Sequence, residues 1–272
     1  PAVKLLGLIG VKNMLTTAYK LGLTTLAPTK DNVDRFGLSL TLGGGEVKLI
    51  DLASAYSAFS NGGYRVEPVS ILKVTDSKGN VLFEQKPASK TRAISPEVSF
   101  IISHMLLDNN ARLITFGVNS YLNIAGRTIA VKTGTTDDKR DNWTIGWTPS
   151  VLVATWVGNN DNSPMGNVAS GVTGAAPIWR RIILEALKGK PSEDFQKPDN
   201  VMAVTIDALG GGLPVDGQAT RTEYFIKGTQ PQGQSPIYQQ IKVSKADSNK
   251  IASQSELDKG EYDIRKFIVF KE

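Results

Sequence analysis

Val131-Lys132-Thr133-Gly134-Thr135-Thr136, running on to Arg140-Asp141-Asn142-Trp143, is the stretch from which the fold of this chain can be read. The apolar run from Thr128 to Thr133 has the composition of a strand, and a polar turn follows it. Lys-Thr-Gly alone is a strand ending in a turn, and such tripeptides occur by chance. The neighbours add chemistry. Lys132 supplies positive potential, Thr133 and Thr135 supply hydroxyl donors, and Gly134 removes the side chain that would bar close approach. Together they can receive a peptide bearing a carboxylate, and an edge strand here can pair with its backbone.

Working outward, Trp143 to Trp147 and Val151 to Val157 read as two more strands. Thr148-Pro149-Ser150 links them so tightly that they must be antiparallel neighbours. Pro177 opens a helix through Leu187, and Lys190-Pro191-Ser192 ends it. Toward the N-terminus, Val3, Leu6, Ile9, Leu15 and Leu21 keep near-helical spacing, with Gly22 as the C-cap. A second helix carries Val47 to Phe59, including the small residues Ala53, Ser54, Ala55, Ser57 and Ala58, and stops at Asn61-Gly62-Gly63. Val69 to Val74 and Val81 to Glu84 flank Asp76-Ser77-Lys78-Gly79-Asn80 as a hairpin. Ser95-Pro96-Glu97 starts a third helix, with Val98, Ile101, Ile102, Met105 and Leu106 on one face. Helices around a short antiparallel sheet predict an α+β domain over residues 1–190. Residues 191–272 form an extension, partly β, with strands at Val201 to Ile206 and Ile264 to Phe270. A Gly/Pro/Gln-rich linker is expected near 228–240.

Composition closes off several function classes. The chain has 272 residues, 31 basic against 26 acidic, and no cysteine. Disulfides, thiolate metal sites and cysteine nucleophiles are excluded, and a single histidine, His104, excludes a multi-histidine metal site. No basic run is dense enough for a nucleic-acid arm. No apolar run reaches the ~18 residues that span a bilayer, and no signal peptide is visible.

Several ordered segments then resemble the class A penicillin-binding proteins. They are Lys132 to Trp143, Gly146-Trp147-Thr148-Pro149, Trp156-Val157-Gly158-Asn159, Leu42 to Val47, Ala55 to Gly63, Asp161 to Met165 and Pro177-Ile178-Trp179. The resemblance runs from residue 1 to about 190 and continues more weakly through Tyr224 to Thr229. It implies a partial serine transpeptidase/β-lactamase-like fold and a peptidoglycan D,D-transpeptidase, in which a serine attacks the D-Ala-D-Ala carbonyl of a stem peptide. It implies that Lys132, Thr133, Gly134 and Thr135 bind substrate, with Lys132 and Thr135 also catalytic. Thr135 would hold the substrate carboxylate with its hydroxyl and give its backbone N–H to the oxyanion hole. It further implies stem peptides and β-lactams as partners, no cofactor or metal, and no nucleic acid. The location implied is the extracytoplasmic face of the membrane, through an N-terminal anchor outside this chain. A glycosyltransferase domain would precede it.

Two motifs of that family are missing. Ser-x-Asn occurs nowhere, and the one Ser-x-x-Lys is Ser70-Ile71-Leu72-Lys73. The family's serine opens a helix, where the lysine returns beside it one turn later. Ser70 enters a hairpin instead, where residues three apart face opposite sides. The expectation is that this chain holds no nucleophile and is inactive alone, Pro1 lying just downstream of the missing motifs. A non-catalytic peptide- or β-lactam-binding module and a class B transpeptidase are the alternatives. His104 is expected to be structural, Asp137, Asp138 and Asp141 to form a solvated loop, and Trp143, Trp147 and Trp156 to belong to the sheet core.

Overall fold

A computed structural model describes residues 1–87, 89–166 and 173–269. They form two compact units, Pro1–Pro198 and Asp199–Glu272.

The first unit contains, in order, α1 (Ala2–Ile9), α2 (Val11–Lys20), α3 (Lys30–Arg35), α4 (Leu49–Ser60), β1 (Tyr64–Val66), β2 (Lys73–Thr75), β3 (Val81–Glu84), β4 (Lys90–Arg92), α5 (Pro96–Leu107), α6 (Asn109–Phe116), β5 (Ala130–Thr135), β6 (Asp141–Trp147), β7 (Leu152–Gly158) and α7 (Ala175–Ala186). The N-terminal helix expected as one piece is two, because Gly10 sits at φ 81°, a conformation open to glycine that breaks the helical ladder. The third helix starts as its sequence says. The Ser95 hydroxyl accepts the Val98 N–H at 3.3 Å and Pro96 fills the first turn. The hairpin is shorter than expected on its first side: only Lys73 to Thr75 pairs with β3, and Val69 and Ile71 lie exposed before it.

The strands β5, β6 and β7 make an antiparallel sheet in that order. Its pleat sends alternate residues to two cores. On one face Ala130, Ile145 and Trp147 pack against Tyr56 and Phe59 of α4 and Leu106 of α5. The Trp147 Nε1–H donates to Ser103 Oγ at 3.0 Å, so this fully buried indole leaves no orphan donor. On the other face Val131 and Val153 meet Ala176, Trp179 and Ile183 of α7. Gly146 lets that helix approach: a Cβ there would lie 2.3 Å from the Trp179 ring. A separate core of Leu6, Leu15, Leu26, Phe36 and Leu40 holds the N-terminal helices together. The Lys132 strand is thus clamped from both faces.

The second unit consists of β8 (Val201–Asp207), β9 (Thr220–Ile226), β10 (Tyr238–Ser244), α8 (Gln254–Lys259) and β11 (Tyr262–Ile268), with β8 paired to β9 and β10 to β11. Residues 228–237 are a loop of turns and bends, and a packed one. Ser235 and Ile237 are buried, the Leu213 N–H donates to Gly233 O at 2.8 Å, and Tyr238 to Gln240 already belong to β10. Flexible composition is overridden here by backbone pairing and one buried isoleucine. The last strand ends at Ile268; Phe270, expected within it, lies outside the described residues. Helix α8 begins with a capping box in which Ser253 and Glu256 satisfy each other's backbone N–H groups. Hydrogen bonds from the hydroxyl of Ser244 and from Ser253 hold the Glu256 carboxyl down at about 2.

Candidate active site

The Thr136 N–H donates to Asp141 O at 3.1 Å, which makes residues 136 and 141 a hydrogen-bonded pair of the β5–β6 ladder. Antiparallel pairs alternate, so Gly134 and Lys132 also turn their peptide groups to β6. Val131, Thr133 and Thr135 turn theirs away, to the edge of β5 that no described strand covers. Two side chains bear this out. The Lys132 ammonium donates to the Thr133 carbonyl, and an Arg112 Nη1–H reaches the Val131 carbonyl at 3.5 Å. The N–H of Thr135 therefore points into the open edge, beside its own hydroxyl.

Arg112, on α6, limits that edge. Its guanidinium also donates to the Leu106 and Leu107 carbonyls at 3.1 and 3.4 Å, capping the end of α5. Arg112 thus occupies the edge at Val131 and the Lys132 ammonium covers the Thr133 carbonyl, which leaves the edge open at Thr135. Beside it lies a cavity of ≈ 260 Å³ lined by Asp108, Arg112, Phe116, Leu122, Lys132 and Thr133 among others. Lys132 is exposed, but the protein around it partly desolvates the ammonium and lowers its pKa. Gly134 sits with its nearest prospective contact, Trp143 Cβ, at 3.7 Å, so the strand surface beside Lys132 stays low.

A second set of bonds fixes the strand's end. Asp141 accepts from Trp156 Nε1 at 2.8 Å and from the Thr136 hydroxyl at 3.1 Å, and its own N–H donates to Thr136 Oγ1 at 2.8 Å. Behind Thr135, the buried amide of Asn142 donates from Nδ2 to Thr135 Oγ1 at 3.2 Å and accepts the Ala175 N–H at 2.7 Å.

The remaining candidates fall elsewhere. Asp137 and Asp138 are exposed, but Asp141 is a staple rather than part of a solvated loop, because its carboxylate faces an indole N–H and a hydroxyl. Trp147 is core, while Trp143 and Trp156 stay half-buried on the Lys132 face, ring centroids 6.4 Å apart. His104 is half-buried beside the Phe100 ring. Ser70 lies exposed in a bend, and Lys73 pairs with Glu84 across the hairpin at 3.9 Å. A larger cavity of ≈ 540 Å³ includes Ser70, but none of its lining residues belongs to β5. Among the described residues no group of three or more His, Cys, Asp or Glu could hold a metal ion. Arg112 and Asn142 escaped the sequence reading. Arg112 carries no motif, and Asn142 stands in the Arg140-Asp141-Asn142-Trp143 stretch without a role of its own.

Strand β5 and the elements that hold it lie within a stretch of this chain that matches a known family. Residues 11–184 match the model of the penicillin binding protein transpeptidase domain. The chain belongs to that family. Residues 197–240 match the C-terminal domain of penicillin-binding protein 1A, which places the chain with the class A members. Penicillin-binding protein 2D of Bacillus subtilis is 32% identical over 239 residues, covering 85% of this chain and 32% of its own. Penicillin-binding protein 1A of Clostridium botulinum is 33% identical over 263 residues, covering 93% and 30%. The crystal structure of penicillin-binding protein 1A from Haemophilus influenzae superposes with a TM-score of 0.71 at 26% identity, over 86% of this chain and 39% of that one. Penicillin-binding protein PonA1 of Mycobacterium tuberculosis, solved in complex with penicillin V, gives 0.59 at 28% identity over 70% and 53%. The fold is thus the serine acyltransferase/β-lactamase-like fold, α+β with an antiparallel sheet flanked by helices. The chain spans about a third of the length of the curated relatives it matches.

Proposed function

We propose that this chain is the substrate-receiving wall of a serine-type D-Ala-D-Ala transpeptidase that cross-links peptidoglycan. The observation that carries the reading is the open β5 edge, toward which the Thr135 N–H points and on whose Thr133 carbonyl the Lys132 ammonium rests. In the reaction, a serine oxygen from outside this chain bonds to the penultimate D-alanine carbonyl carbon and gives its proton to a base. The carbonyl π-electrons move onto oxygen, and the Thr135 N–H stabilises that oxyanion. The tetrahedral adduct collapses, the C–N bond breaks, and D-alanine leaves with a proton. The acyl group then passes to the amine of a second stem peptide. A β-lactam acylates the same serine by ring opening, so its amine stays attached. Lys132 supplies positive potential to the substrate carboxylate, and the Thr135 hydroxyl donates to it.

The whole enzyme would carry a membrane anchor and a glycosyltransferase domain upstream and work on the extracytoplasmic side. No helix among the described residues is long and apolar enough to cross a membrane. With no Ser-x-Asn, and with Ser70 in an exposed bend while Lys73 faces Glu84, this segment does not turn over by itself. A fluorescent penicillin tests the division of labour. It labels the full-length protein covalently and leaves the 272-residue chain unlabelled; covalent labelling of the chain alone would overturn the proposal.

A further inference from the structure

Asn142 stands opposite Thr135 in the β5–β6 register and is fully buried. A buried amide is costly unless it is bonded. Its Oδ1 accepts the Ala175 N–H at 2.7 Å, and a backbone N–H can be met only by an acceptor, so the amide's orientation is fixed. The Ala175 carbonyl, in the next peptide group, accepts from the Thr155 hydroxyl at 3.1 Å, so β6 and β7 both anchor this residue at the start of α7. Nδ2 is left facing Thr135 and donates to its Oγ1 at 3.2 Å.

A hydroxyl has one proton to give and two lone pairs. Asn142 occupies a lone pair, and among the described residues the Thr135 proton has no acceptor. We propose that Asn142 is a positioning residue that sets the polarity of the Thr135 hydroxyl, turning its proton outward as a donor to the substrate carboxylate. The signal runs from the start of α7 through one amide to the strand edge. This inference rests on the reading of Thr135 as the carboxylate holder, and it predicts a dependence on the ligand's charge that a packing role would not give.

The test compares acylation of the full-length enzyme by a penicillin and by the same penicillin with its carboxylate methyl-esterified. Asn142→Asp keeps the shape and still accepts from Ala175, but it draws the Thr135 proton inward. Its acylation by the free acid falls about tenfold or more, as expected for losing a hydrogen bond to a charged group. Acylation by the ester stays within about twofold of the unaltered enzyme. Asn142→Ala, which adds no charge, shows the same selectivity in smaller measure and serves if the first variant is unstable. Equal losses for acid and ester, no loss, or failure of both variants to fold would each assign Asn142 to packing and overturn the proposal. Thr135→Val separates this from the underlying reading. If it shows the acid-selective loss while the Asn142 variants do not, only the Asn142 role fails. If it shows no selectivity, the carboxylate assignment itself fails.

Discussion

Lys132 to Thr135 and Ser70 to Lys73 are two four-residue stretches that both match motifs of the same enzyme family, and they stand in opposite surroundings. The first ends a strand that is sandwiched between Trp147 with α4 on one face and Trp179 with α7 on the other. Its backbone is held by Arg112, its last hydroxyl by Asn142, and its turn by Asp141. The second crosses a bend into a two-stranded hairpin whose Ile71, Leu72 and Leu82 are exposed, and Lys73 is spent on a surface pair with Glu84. Such a pair is worth little in water. A motif acquires chemical meaning from the groups that fix its geometry, because a misplaced donor contributes little to a transition state.

The largest effect should come from the first stretch. Lys132→Ala in the full-length enzyme slows acylation by a fluorescent penicillin by about 10²–10³-fold, comparable to losing one preorganised oxyanion donor, while the melting temperature hardly moves. Acylation at the unaltered rate would put the two stretches on equal terms. A smaller effect should follow from disturbing only the platform. Gly146→Ala drives a Cβ to 2.3 Å from the Trp179 ring, which is fully buried and cannot swing aside. Overpacking of this kind costs about 1–3 kcal/mol, read as a lower denaturant midpoint in the full-length protein. An unchanged midpoint would mean that α7 does not brace the Lys132 strand.

How much of this was legible in the sequence depends on the range of the interaction. The strands β6 and β7, the Ser95 cap and the tight Thr148-Pro149-Ser150 link are local and stand where their residues indicate, while β5 runs two residues further than expected, through Gly134 to Thr135. The break at Gly10 is also local, but the apolar spacing ran straight through it and hid it. The open edge could be suspected but not oriented, since the direction of each peptide group follows from the β5–β6 register. Arg112 and Asn142 act across 19 and 33 residues, on Val131 and Ala175, and no local pattern marks such pairs. The packing of the loop that begins at Gly228 is hidden for the same reason. Its glycines and glutamines spoke for a linker, while its pairing partner, Leu213, lies far upstream.

Ser70→Ala should have the smallest effect, and the comparison of the two stretches depends most on it. If Ser70 were a nucleophile, its loss would abolish covalent labelling. A serine nucleophile needs a base within hydrogen-bond reach, and the nearest family-like candidate, Lys73, faces Glu84 instead. Ser70 is exposed in a bend rather than at a helix start, where the dipole would help to steady a developing charge. Removing one exposed hydroxyl therefore changes stability by no more than about 0.5 kcal/mol. Acylation of the full-length enzyme stays within about twofold of the unaltered rate. Labelling lost in this variant alone would move the reacting serine into this chain and make the hairpin, not the strand edge, the place to look for its base.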